Sequence, residues 1–232
     1  MSPIVWYALC PVANACIGCF LAFVALIVFA LIVNHYSEKK RRRLLTAFAD
    51  ETQCRYEPKV KAADAPEIVE GIAGELSEFP SFEAVEFTEF NHFMTGVVDR
   101  NDIIFFDYYM RVKAGNATTM KYGTLLLASN DGMRLPTLRI EPVEGADTAA
   151  ELTIETFEAN YTIAGDAADD VILAIKECAL PLLTLDRTLR IEMNADRFVV
   201  FGLSQIGNDA LLEIIRRTIQ MGMDCADRLV FP

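Results

Sequence analysis

The sequence predicts an α+β fold in which an N-terminal transmembrane helix is followed by an antiparallel sheet packed with about three helices. Three observations carry this. Residues 12–33 contain no charged side chain. Segments that alternate with a period of two run in succession between residues 85 and 143 and return near 188–203. Amphipathic stretches at helical spacing begin near Pro66, Asp166 and Asn208, separated by runs of strands rather than in βαβ alternation.

At about 1.5 Å of rise per residue, residues 12–33 span roughly 33 Å as a helix, enough to cross a bilayer core. Trp6 and Tyr7 precede the stretch and Tyr36 follows it, suited to the two headgroup levels. Lys39, Lys40, Arg41, Arg42 and Arg43 come next, whereas residues 1–38 carry no Lys or Arg. That asymmetry predicts a single-pass protein of the cell (inner) membrane, N-terminus outside and C-terminal portion cytoplasmic, with membrane lipid as one partner. A cleaved signal peptide competes, but the stretch lacks a basic leader and a small-residue cleavage site. Within the span Ala13, Cys16, Gly18, Ala22 and Ala25 form a small-residue face suited to close packing against other membrane-protein subunits.

The expected organisation is an N-terminal segment and span over 1–37, a basic collar and linker over 38–65, and an acidic α+β domain over 66–232. Helix-forming composition continues to Gln53, and Pro58 stops it. Pro66 opens an amphipathic helix whose Ile68, Val69, Ile72, Ala73 and Leu76 recur at helical spacing. Strands follow, with a turn at Asp99-Arg100-Asn101-Asp102 and a return strand over 103–113. One face of that return strand, Ile104, Phe106, Tyr108, Met110 and Val112, is wholly apolar or aromatic and is expected to face the core. The other face then presents Phe105, Asp107 and Tyr109 outward as a candidate docking surface.

Gly115-Asn116 signals a hairpin into a strand over 120–129. Residues 135–143, bounded by Pro136 and Pro142, suit a short strand near an edge, and 152–155 suit one more. A second helix starts near Asp166, buries Val171, Ile175 and Cys178, and is limited by Pro181. A hairpin joined by Asn194, Ala195 and Asp196 precedes a last helix, capped by Asn208, whose apolar face is Leu212, Ile215, Ile219 and Met223.

Leu135-Pro136-Thr137-Leu138-Arg139-Ile140-Glu141-Pro142, with Phe157, Asn160-Tyr161-Thr162-Ile163 and Gly165-Asp166, resembles a pattern in uncharacterised bacterial single-pass membrane-anchored proteins. The resemblance implies the anchored architecture. It brings no activity and no functional residue.

The chain carries net charge −12, and from residue 44 onward 16 basic residues face 32 acidic ones, net −16. A phosphate backbone selects a positive footprint, so nucleic acid is excluded as a partner. Cys54, Cys178 and Cys225 are too scattered for a disulfide framework, which suits a reducing compartment. Cys10, Cys16 and Cys19 are read as packing residues of the membrane helix. The two histidines are His35 and His92, and no Gly-x-Ser-x-Gly elbow or phosphate-binding loop occurs. The carboxylates around Glu141 and Asp166 lack calcium-loop spacing, so no catalytic residue, cofactor or metal is assigned. Two classes remain: a non-catalytic accessory or scaffolding subunit that binds a protein partner or larger membrane complex, and a membrane-tethered hydrolase or metal-dependent enzyme using His92 and nearby carboxylates.

Overall fold

The computed structural model describes residues 4–83, 85–114, 117–146 and 151–229, with the side chains of 4–18, 112–114 and 117–118 outside the description. It divides into two compact units, Met1–Arg43 and Leu44–Pro232. A single 49-residue helix, α1 (Ile4–Thr52), begins in the first unit and ends in the second. The described part of α1 is long and apolar enough to cross a membrane. Its side chains from residue 19 to 37 are all exposed, Ala22, Ala25 and Tyr36 among them. Trp6, Tyr7, Ala13, Cys16 and Gly18 lie on α1 with side chains outside the described ones. Of the basic collar, Lys39, Lys40, Arg42 and Arg43 are exposed and Arg41 is buried.

The second unit is an α+β domain. Its first residues are the last turns of α1, where Leu45, Phe48 and Ala49 are buried in the core. The helix then ends in a Schellman turn: Gln53 takes a left-handed φ of 60° and the Cys54 amide donates back to the Ala49 carbonyl at 2.9 Å. β1 (Arg55–Lys61) follows at once. This corrects the expected linker over 38–65. Pro58 reads as a breaker in sequence, yet β1 is an edge strand, and at an edge a residue without an N–H is tolerated.

The remaining elements are α2 (Pro66–Leu76), a 3-10 turn at Pro80–Phe82, β2 (Val85–Val98), β3 (Asn101–Ala114), β4 (Ala117–Ser129), β5 (Leu135–Pro142), α3 (Phe157–Asn160), β6 (Tyr161–Gly165), α4 (Asp169–Leu183), β7 (Arg190–Ala195), β8 (Arg197–Gly202) and α5 (Leu211–Arg228). The strands form one antiparallel sheet in the order β1-β2-β3-β4-β8-β7-β5-β6. Register aligns one apolar row across all eight: Tyr56, Met94, Phe105, Leu126, Val200, Ile191, Ile140 and Ile163. A two-residue turn with positive φ at Asp99 and Arg100 joins β2 to β3, as a hairpin with right-handed strand twist requires.

Both faces of the central sheet are covered. On one, the apolar row packs with the end of α1 and with α4 and α5, burying Phe48, Ile175, Leu182, Ile215 and Ile219. On the other, α2 and the 3-10 turn close an aromatic cluster in which Phe90 and Phe106 stand 4.2 Å apart and Phe82 and Phe201 4.9 Å apart. Phe106, Tyr108 and Met110 face this cluster, as their spacing predicts. The outward reading of the opposite face of β3 is corrected: Phe105 and Asp107 are buried, because α5 and the segment before it fold back over them.

Three smaller expectations also shift. Residues 152–155 form no strand but a turn leading to α3. α4 continues past Pro181 to Leu183, since a proline in the last turn removes only the bond to the Glu177 carbonyl, and Glu177 is exposed to water. α5 starts at Leu211 after Ala210 and buries Leu211, Ile214, Ile215, Thr218, Ile219, Gly222 and Cys225, so Leu212 and Met223 sit at the margin of the stripe.

Candidate functional site

His92 occupies a bulge in β2 with a left-handed φ of 54°. Its ring is 5% exposed, stacks on Tyr56 at 6.3 Å, and shares a hydrogen bond between Nδ1 and the Tyr56 hydroxyl at 2.8 Å. Among the described residues no group of three or more His, Cys, Asp or Glu is placed to hold a metal. His92 thus ties β1 to β2 at the sheet edge.

Asp107 anchors a buried polar network. Thr124 Oγ1 donates to its Oδ1 at 2.6 Å, Gln205 Nε2 donates to its Oδ2 at 3.0 Å, and the Ile206 amide donates to Thr124 Oγ1 at 3.1 Å. Two adjacent strands thereby hold down the segment between β8 and α5. Its role is structural.

Tyr109, next on the same face, is 37% exposed and stacks on Tyr122 of β4 with ring centroids 4.6 Å apart. Met120 of β4 is 52% exposed. β8 pairs with β4 only over Thr124 to Ser129, whereas β3 pairs with it from Ala117 to Ser129. Residues 117–123 therefore form an overhang whose outer edge faces no strand among the described residues. The sequence from Tyr108 to Asn130 holds Arg111, Lys113 and Lys121 and no Asp or Glu, a basic interval in a domain of net charge −16. Of the candidate docking residues Tyr109 alone stays at the surface, with Tyr122 and Met120 beside it. The exposure of Met120 depends on where β8 stops, which no local pattern records.

A cleft of about 340 Å³ opens where β5 and β8 end and β6 and β7 begin, lined by Pro142, Val143, Asn160, Tyr161, Arg187, Arg190 and Leu203 among others. Arg187 Nη1 donates to Asn160 Oδ1 at 3.3 Å, and the Tyr161 hydroxyl donates to the Arg187 carbonyl at 3.2 Å. Arg190 Nη1 donates to Glu141 Oε1 at 2.7 Å, and Arg139 Nε lies 3.4 Å from the other oxygen of that carboxylate. Asp186 Oδ1 accepts from the amide and hydroxyl of Thr188 at 2.9 and 2.7 Å. Burial pushes the Tyr161 hydroxyl well above its ordinary range, against the opposing pull of Arg187, so it remains a neutral donor. Sequence reading missed this cleft because four separated segments build it. The signal was two arginines in Asp186-Arg187-Thr188-Leu189-Arg190, within an acidic domain.

Cys178 on α4 and Cys225 on α5 are both buried and interact thiol to thiol, although the sequence places them far apart. The bond to Cys178, with burial, drives the Cys225 thiol far upward.

No protein-family model matches the chain. None of the curated proteins matches it either. Among solved structures it is similar to the crystal structure of the mycobacterial trehalose monomycolate transport factor A, TtfA, with a TM-score of 0.52 at 9% identity, over 84% of this chain and 97% of that one. At that identity the likeness is one of fold.

Proposed function

We propose that this chain is a non-catalytic, single-pass membrane protein, an accessory or scaffolding subunit whose cytoplasmic domain binds a protein partner or a larger membrane complex. The observation that carries this reading is exposed Tyr109, stacked on half-buried Tyr122 beside exposed Met120 on an overhanging strand edge. Aromatic rings and methionine are enriched where proteins dock, and an open edge offers backbone donors and acceptors to an added strand. The basic interval around Lys121 favours an acidic segment as that strand. A membrane-crossing α1 makes any such contact effectively intramolecular with contacts made in the bilayer. The fold likeness to a transport factor agrees with a role of this kind. His92, the residue a hydrolase reading would use, is 5% exposed and engaged at Nδ1 by the Tyr56 hydroxyl.

The test is purification of the full chain from its native membrane in mild detergent. A stoichiometric protein partner is expected to co-elute with the wild type and to be lost from a Tyr109→Ser, Tyr122→Ser double variant that keeps its fold. His92→Ala is expected to retain the partner. Elution alone at every step, or a partner held equally by the double variant, overturns the docking face.

A further inference from the structure

We propose that the cleft between Arg187 and Arg190 is a binding site for a small amphiphile: an oxyanion head, carboxylate or phosphate monoester, on a compact apolar body. This rests on the cleft alone and is independent of partner docking.

Charge argues for the head. Arg187 and Arg190 line the cleft, and Arg139 shares the Glu141 carboxylate with Arg190, in a domain where acidic residues outnumber basic ones two to one. Arg187 Nη1 donates to Asn160 Oδ1. Glu141 and Asn160 are themselves lodged in strand pairing and a loop bond: Glu141 pairs with Thr162, and the Asn160 carbonyl accepts the Val143 amide at 2.8 Å. The guanidinium groups are therefore held in place before a ligand arrives, which lowers the entropy cost of binding. Planar forks of this kind suit carboxylate and phosphate.

Shape argues for the body. Pro142, Val143 and Leu203 supply an apolar wall beside the arginines, and about 340 Å³ lies at the small end of the range of roughly 300–1,000 Å³ for small-molecule sites. A bare ion would leave that wall in water. A long acyl chain would exceed the volume.

Calorimetric titration of the full chain in phosphatidylcholine nanodiscs tests this with butyl phosphate, inorganic phosphate and 1-butanol as probes. Butyl phosphate is expected to bind at least tenfold more tightly than inorganic phosphate, and 1-butanol not to saturate. Arg187→Gln is expected to weaken butyl phosphate at least tenfold. Leu203→Glu, at an exposed position where folding is not at stake, is expected to weaken it comparably by placing a carboxylate at the wall. Adding phosphatidic acid to the nanodiscs distinguishes the sources of the head: competition assigns it to a lipid, and unchanged binding assigns it to a free ligand, each supporting the site. Equal binding of butyl and inorganic phosphate, saturable binding of 1-butanol, or butyl phosphate affinity unmoved by both variants overturns the proposal.

Discussion

Thr124 Oγ1 donates to Asp107 Oδ1 at 2.6 Å across two adjacent strands, both residues fully buried, and the same threonine oxygen accepts the Ile206 amide. The pair turns a face that periodicity marks as solvent-facing into an anchor for the chain that returns to α5. Asp107→Ala leaves the Thr124 hydroxyl and the Gln205 amide without this acceptor, and is expected to cost about 3 kcal/mol of stability by denaturant unfolding. Asp107→Asn keeps the volume and an acceptor and should cost less. Equal losses in the two variants would place the effect in the charge and second acceptor oxygen of the carboxylate, and a full-sized loss in Asp107→Ala with none in Asp107→Asn would place it in packing.

Gly123 is where the Tyr108 ring crosses β4 to donate its hydroxyl to the Gly202 carbonyl at 3.1 Å. A Cβ there would stand 2.1 Å from that carbonyl oxygen and 2.5 Å from the hydroxyl. Gly123→Ala is therefore expected to destabilise by about 1–3 kcal/mol, as overpacking does. It should also separate β8 from β4 at that end, seen as faster amide exchange at residues 201–203. A melting temperature matching the wild type would show that the strands shift apart at no cost.

Leu45 and Phe48 are buried in the core of the second unit although they belong to the helix that begins in the first. A fragment starting at Lys59 loses both, and half of β1 with them, whereas one starting at Leu44 keeps all of these. Burial of two such side chains is worth about 3–6 kcal/mol. The longer fragment is expected to melt cooperatively by circular dichroism and the shorter to be unfolded or molten. A cooperative, equally stable 59–232 fragment would remove the end of α1 from the core.

Glu89 loses some solvent to burial, which raises its pKa, but bonds from Lys59 at 2.9 Å and Asn91 at 3.0 Å outweigh this and hold it below the ordinary 4.5. A depressed folded-state value stabilises above the unfolded value and is lost as pH falls through the folded one. Thermal melts of wild type and Glu89→Gln should therefore differ at pH 7, by under about 1 kcal/mol for a half-exposed pair, and converge below the folded-state value. The difference between the two proteins is the quantity to follow, since acid also relieves self-repulsion in a domain of net charge −16. A gap that widens with acid would contradict the sign.

Local pattern was enough for what depends on neighbours along the chain. The uncharged stretch within α1, the turn that begins at Asp99, and the apolar alternation of Phe106, Tyr108 and Met110 were all legible from spacing. An α+β domain behind an apolar helix followed from the order of those patterns. Tertiary structure alone decided how many faces of the sheet are covered. A period of two sorts residues onto two faces but does not say which face a later element will reach, and Phe105 and Asp107 are covered by the segment around Gln205 and by α5, which begins at Leu211, far along the chain. It also decided the cleft. Arg187, Arg190, Asn160 and Leu203 meet only because antiparallel pairing brings the ends of β5 and β8 beside the starts of β6 and β7, a juxtaposition set by strand order and register rather than by any one segment.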